Sequence, residues 1–289
     1  AGASKEAGLP TGLELKQQIS SLLNIKFDYR QQKSGDPKIT QALRILTKQK
    51  DGQPGDINPF LHEAWHICDA LPLAISIDNL IDSHRENERI KILGKLAIIK
   101  AILKAESESN LFFERERVNS SIDLAALDKT WYLPFFQLLT ENCEIHNLEN
   151  RFSSLALIIF NYDRCLEHFL YFALQRYYKI GEDEAARLLS LLTIYHPYGR
   201  VGSLLWMQGN THVDFGQEPP AEVFVKLLDE IKTFAEGTDP NSSEILDLRS
   251  LVLHASRLVF IGSAFHKLNM TLIAPTENVP RLPNFQCFA

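Results

Sequence analysis

Cysteine is scarce in this chain: four among 289 residues, Cys68, Cys143, Cys165 and Cys287, with no C-x-x-C spacing. That scarcity excludes a disulfide framework and a zinc ribbon built from four cysteines. No apolar run reaches the roughly 20 residues of a membrane-spanning helix, and no segment has the pattern of a signal peptide. Positive charge is not in excess either. Lys and Arg number 30 against 36 Asp and Glu, a net charge of −6, which argues against direct nucleic-acid binding as the main task. Internal repeats and low-complexity tracts are also absent. What remains, 45% hydrophobic and 23% charged, is the composition of a soluble globular protein. The expectation is a cytoplasmic protein holding one large α/β domain with an insertion, or two domains.

The most informative stretch is Leu155–Leu166. Six apolar residues, rich in Ile and Phe, read as a buried strand that stops on Asn161-Tyr162-Asp163. Leu166, Phe169, Leu170, Ala173, Leu174 and Tyr177 then recur at helical spacing. In open α/β sheets ligands bind beyond the carboxyl ends of the strands, which would place Asn161 and Asp163 at such a crest. Equally, Asn161 can be a turn residue and Asp163 a helix cap.

Comparable passages recur along the chain. Leu73–Ile77 reads as a short strand ending in Ser76-Ile77-Asp78. Leu191–Tyr195 reads as a strand entering a tight turn, His196-Pro197-Tyr198-Gly199. Leu258–Ile261 reads as a strand ending in Gly262-Ser263-Ala264-Phe265, and the tail from Pro275 reads as loop. Small residues at Ala1-Gly2-Ala3-Ser4 let backbone approach a ligand and point N–H groups at phosphate oxygens. Strands alternating with helical patterns imply βαβ units. The expected fold is α/β: a Rossmann-like, mostly parallel sheet with helices on both faces and a large helical insertion. The expected boundaries are residues 1–40 with 150–289 for the nucleotide-binding domain, and 41–149 for the insertion.

A competing motif is His62-Glu63-Ala64-Trp65-His66, the H-E-x-x-H pattern of helical zinc sites. His at i and i+4 share a helix face, and Glu63 could polarise a zinc-bound water. No third-ligand motif follows it; Asp69, His84 and Glu86 are the candidates in reach. The alternative is a half-buried helix face with both histidines hydrogen-bonded and inert.

Taken together, Ala1-Gly2-Ala3-Ser4 with Gly8-Leu9-Pro10-Thr11-Gly12, Ser76-Ile77-Asp78, Phe160-Asn161-Tyr162-Asp163, His196-x-Tyr198-Gly199 and Phe260-Ile261-Gly262-Ser263 resemble the sirtuin-like family. More closely, they look like its bacterial NAD-hydrolysing branch, found in anti-phage defence proteins. The resemblance spans residues 1 to about 270, in family order. The family's opening Gly-Ala-Gly-x-Ser lacks its first Gly here, and its closing strand has no counterpart before Ala289, so the domain is expected to be clipped at both ends.

The resemblance implies that NAD is the substrate and that no metal is required. It places Gly2, Ala3 and Ser4 at the pyrophosphate and Gly262 and Ser263 on the adenosine side. Pro10, Thr11, Asp78, Tyr198 and Gly199 would line the same pocket. Asn161 would sit near the nicotinamide ribose, with Asp163 following it. The catalytic His of many relatives falls on the Tyr198 position, and that of others on His196, the preferred candidate. Deacylating sirtuins carry a C-x-x-C…C-x-x-C module that this chain lacks, which favours water as the acceptor. The leading expectation is therefore an NAD glycohydrolase acting as a toxic defence effector, homo-oligomeric by analogy and held silent by a further domain or partner protein. Alternatives are a protein deacylase or ADP-ribosyltransferase, a non-catalytic nucleotide sensor, and the zinc hydrolase.

Overall fold

Four helices in the first half of the chain start on a side-chain cap, at Thr11, Asp36, Ser76 and Asn87, whereas the helix from Asn58-Pro59 has none. The computed structural model describes residues 2–29, 31–49, 52–117, 120–237, 242–263 and 265–274. After the short α1 (Gly2–Lys5), α2 (Gly12–Leu23) opens on Thr11. The Thr11 hydroxyl accepts the Glu14 N–H and the Glu14 carboxylate accepts the Thr11 N–H, a capping box. β1 (Lys26–Asp28) and β2 (Gln31–Ser34) pair antiparallel. α3 (Pro37–Leu46) starts at Asp36, whose carboxylate accepts the Ile39 N–H at 3.0 Å.

α4 (Asn58–Ala70), α5 (Ile77–Ser83) and α6 (Glu88–Ser107) follow. Leu61 and Ile67 of α4 and Leu93, Leu96 and Ile99 of α6 bury with Ile19 and Leu23 of α2. The same cluster takes in Tyr162, Val201 and Ile231 from much later in the chain. The helical stretch after residue 41 thus shares one core with segments on both sides of it.

The site-bearing part is built from α7 (Tyr132–Thr140), α8 (Leu148–Ser153), β3 (Ala156–Ile158), α9 (Cys165–Tyr178), α10 (Glu182–Ser190) and β4 (Thr193–Tyr195). It is completed by α11 (Ala221–Lys226), α12 (Phe234–Gly237), α13 (Ser243–His254) and α14 (Lys267–Ile273). β3 and β4 pair in parallel, Ala156 opposite Thr193 and Ile158 opposite Tyr195, joined through α9 and α10. Side chains of a strand alternate between faces, and here the alternation sorts two cores. Leu157 and Ile194 join Phe169, Leu170 and Leu188 on one face. Ile158 and Tyr195 join Leu248, Val252 and Ile273 of α13 and α14 on the other.

The expected broad parallel sheet is not formed among the described residues. The fold is mixed α/β and mainly helical, with two sheets of two strands each. Leu73–Ile77 is not a strand: Leu71–Leu73 is a 3-10 turn, and Ser76 caps α5 by accepting the Asn79 N–H at 3.1 Å. Leu73 and Ile75 are largely exposed while Ala74 and Ile77 pack into the α2–α4–α6 core, so the run is not buried as a strand and the Ser76 cap decides the local structure. Leu258–Ile261 pairs with no strand among the described residues; only Leu258 and Phe260 pack inward, against the β3–β4 layer. Cys68, Cys143 and Cys165 are free thiols. Ala1, Ala264, Cys287 and the tail from Pro275 lie outside the described residues. Among the described residues no helix is long and apolar enough to cross a membrane.

Candidate functional site

The carboxyl ends of β3 and β4 carry the two crests that the sequence singles out, and the parallel register sets them side by side. Beyond β3 the chain passes through Asn161, Tyr162 and Asp163 into α9. Beyond β4 it turns at His196–Gly199, where the Gly199 N–H donates to the His196 carbonyl at 2.9 Å. Gly199 has φ +76°, and a Cβ there would lie 1.9 Å from the Glu230 carbonyl oxygen, so only glycine fits this turn.

Asn161 joins three segments distant in sequence. Its Nδ2 donates to Ser4 Oγ at 2.7 Å, and its carbonyl oxygen lies 3.0 Å from His196 Nδ1. Ser4 is buried within α1, where backbone approaches backbone closely. A Cβ on Gly2 would sit 2.3 Å from the Gly262 carbonyl oxygen. Gly262 has φ +57°, and a Cβ there would meet Ala3 N at 2.2 Å. Trp131 Nε1 donates to the Ala3 carbonyl at 2.8 Å and holds the opening segment from the α7 side. Gly2, Ala3, Ser4, Asn161, His196 and Gly262 therefore form one cluster; Ser263 is exposed beside it, its hydroxyl accepting the Phe265 N–H.

Other expected residues have local duties. Asp163 is buried and its Oδ1 accepts the Cys165 N–H at 3.2 Å, a local turn bond; the cap position of α9 is Arg164, which makes no side-chain cap bond. Thr11 is engaged with Glu14 in the α2 capping box, and Pro10 precedes that cap. Neither shows a contact to the cluster. Asp78, in the first turn of α5, accepts a short hydrogen bond from the Tyr162 hydroxyl. Burial pushes that carboxyl above its ordinary value, partly countered by Tyr162. Burial and the nearby Asp78 push the Tyr162 hydroxyl well up as well, so it stays a donor. Tyr198 packs near Phe160 and donates to Asn269 Oδ1 at 2.8 Å.

The sequence reading missed four participants: Tyr162, Glu167, Arg200 and Asn269. Glu167 matters most. It is fully buried in the first turn of α9, and its Oε1 lies 2.8 Å from His196 Nε2 and 4.0 Å from Arg200 Nη1. No local signal singles it out: periodicity puts it on the outer face of α9, whereas Cys165–Tyr171 is buried all round. With Asn161 O on one nitrogen and Glu167 on the other, His196 offers no unengaged ring nitrogen in this arrangement.

The H-E-x-x-H residues lie on α4, away from this cluster. His62 packs edge-on to Trp65, while Glu63 accepts from Asn87 Nδ2 at 3.0 Å and lies 3.5 Å from His66 Nδ1. Among the described residues no group of three His, Cys, Asp or Glu side chains is placed to hold a metal. A groove of about 890 Å³ runs between α7 and α9, lined by Leu133, Phe136, Leu138, Phe169 and Tyr177 among others. It is mostly apolar, with Gln137, Thr140, Glu141 and Arg176 also on its lining, and it shares no residue with the Asn161–His196 cluster. Comparisons with protein-family models, with curated proteins and with solved structures return no match.

Proposed function

We propose that this chain is an NAD glycohydrolase whose site is the cluster at the ends of β3 and β4. The observation that carries the reading is the meeting of Ser4, Asn161, His196 and Gly262. These residues come from four segments up to about 260 positions apart, and they are the ones the sirtuin-like resemblance assigns to NAD. Water attacks C1′ of the nicotinamide ribose, the C1′–N bond breaks, and its electron pair leaves with nicotinamide. The water loses a proton, giving ADP-ribose. Nicotinamide leaves from a cationic ring, so the reaction proceeds through an oxocarbenium-like state and needs position and electrostatics more than a strong base.

Asn161 orients the ribose or the water, Gly2 and Ala3 give backbone access to the pyrophosphate, and Asp163 holds the loop at the α9 start. Consumption of cellular NAD would make the protein a toxic effector of anti-phage defence, assembling as a homo-oligomer. The test is incubation with NAD alone. Nicotinamide release without any acceptor is expected, reduced roughly 100-fold in Asn161→Ala. Strict dependence on an acylated peptide or a protein acceptor would instead identify a deacylase or transferase, and tight binding without turnover a sensor. Equal release by wild type and Asn161→Ala would remove the site assignment.

A further inference from the structure

The first turn of α9 carries a carboxylate whose environment does not suit a purely structural role. Glu167 is fully buried, its Oε1 meets His196 Nε2 at 2.8 Å, and its Oε2 has no hydrogen-bond partner among the described residues. A buried acceptor left unpaired is costly, and native proteins keep few of them outside working sites. The other ring nitrogen of His196 faces the Asn161 carbonyl at 3.0 Å. Carboxylate and carbonyl are both acceptors, so a ring that satisfies both carries a proton on each nitrogen.

We propose that Glu167 is a positioning residue: it holds His196 as a doubly protonated imidazolium that grips the Asn161 carbonyl and so fixes the Asn161 side chain against Ser4. The line runs Glu167 Oε1, His196 Nε2, His196 Nδ1, Asn161 O, and then through Asn161 Nδ2 to Ser4 Oγ. Residues from α9, the β4 turn, the β3 crest and α1 are thereby locked in one geometry. His196 acts as a clamp in this scheme, not as the base that its position suggests.

The surrounding charges fit. Burial disfavours the charged form of Glu167, but the charge and hydrogen bond of His196, with Arg200 behind them, more than offset it and hold the carboxyl below the usual carboxylate range. Arg200 comes from the turn after β4, and its Nη2 donates to Ser203 Oγ at 3.2 Å. Asp163 and the Arg164–Glu106 ion pair stand at the start of the same helix. Tyr132 of α7 and Cys165 of α9 add none, because burial above all pushes both groups well up and keeps them neutral.

The effect on turnover rests on the NAD reading of the site; the state of the ring does not. The experiment therefore has two readouts on the full chain. Nitrogen-resolved spectra of protein labelled at histidine, taken without NAD near pH 7.5, should show His196 protonated on both ring nitrogens. Glu167→Gln should remove one of these protons, while Glu167→Asp should retain both. For nicotinamide release, Glu167→Gln should lower kcat roughly 100-fold with KM for NAD changed less than about 3-fold, and Glu167→Asp should recover part of the loss.

A wild-type His196 ring carrying a single proton overturns the proposal, and that result needs no variant to fold. An unchanged ring and unchanged kcat in folded Glu167→Gln overturn it as well. A wild type that releases no nicotinamide but shows the doubly protonated ring, lost in Glu167→Gln, removes the NAD reading and leaves the clamp standing.

Discussion

Two buried ion pairs meet at the first turn of α9, and they are completed differently. Arg164 and Glu106 are both fully buried. Arg164 binds both Glu106 oxygens and reaches the carbonyls of Val213 and Asp214, while Glu106 also accepts the Gly216 N–H. Every strong donor there has an acceptor and both carboxylate oxygens are used. Glu167 and His196 are nearly as buried, yet Glu167 Oε2 is unmatched among the described residues. A saturated pair fixes structure, tying the end of α6 to the start of α9 and the loop at 213–216. A pair with a spare acceptor has capacity beyond holding the fold together.

The comparison breaks most sharply by removing one partner from each pair. Arg164→Ala leaves Glu106 buried and alone and should lower the unfolding free energy by about 3–5 kcal/mol. Replacing both partners by apolar residues of similar volume, Arg164→Met with Glu106→Leu, should recover most of that loss. Glu167→Gln keeps an acceptor for the imidazole and abandons no partner of Oε2, so its cost should be nearer 1 kcal/mol. Urea unfolding of the three proteins checks the ranking. Equal losses for Arg164→Ala and Glu167→Gln would show that both pairs are structural in the same sense.

Neither pair was legible in the sequence, although much around them was. The strand at 156–158, the α9 stripe from Leu166 to Leu174 and the glycine turn at 196–199 follow from local patterns, because neighbouring residues determine them. Glu106 and Arg164 lie 58 positions apart, and Glu167 and His196 lie 29 apart. Their pairing depends on how α6, α9 and β4 pack, which no local period encodes. The stripe also misplaced one end of α9: residues 165–171 are all buried, whereas Tyr177 is 60% exposed. Glu167 and His168 thus fall on what periodicity takes for an outer face. At Leu73–Ile77 the error ran the other way, since an apolar run outweighed the Ser76 cap that forms the helix.

The next residue on α9 separates burial from pairing. His168 stacks on Phe215 at 3.9 Å between ring centroids and donates its Nε2 hydrogen to the Leu111 carbonyl at 3.2 Å. Burial, helped by the Arg164 charge, pulls this histidine down from 6.5 to about 3. The unfolded chain therefore binds a proton at His168 between those values while the folded chain does not, and stability falls as pH falls through that window. At pH 5 the loss should be about 2 kcal/mol. His168→Gln retains a donor for Leu111 without titrating. It should flatten the slope of stability against pH between 6.5 and 5, measured by urea unfolding, whatever its effect at pH 7. An unchanged slope would mean that the aromatic enclosure admits water.

The smallest expected effect comes from an ion pair that water reaches. Glu236 accepts from the Thr233 N–H and from Lys95, each at 2.8 Å, with Lys91 at 3.5 Å, but its side chain is 39% exposed. Burial alone would raise its carboxyl; the Lys95 and Thr233 hydrogen bonds outweigh burial and hold it at about 2. A lowered carboxylate contributes stability above its ordinary value of 4.5 and loses it as pH falls from there to about 2. Solvent screening reduces that contribution to below about 1 kcal/mol. Glu236→Gln keeps the acceptor for the Thr233 N–H and removes only the charge, so its cost should stay under that figure and vanish in high salt. The Arg164→Ala loss should persist in the same salt, because screening acts on charges that solvent ions can approach. A salt-insensitive loss at Glu236 would remove exposure as the variable that ranks these pairs.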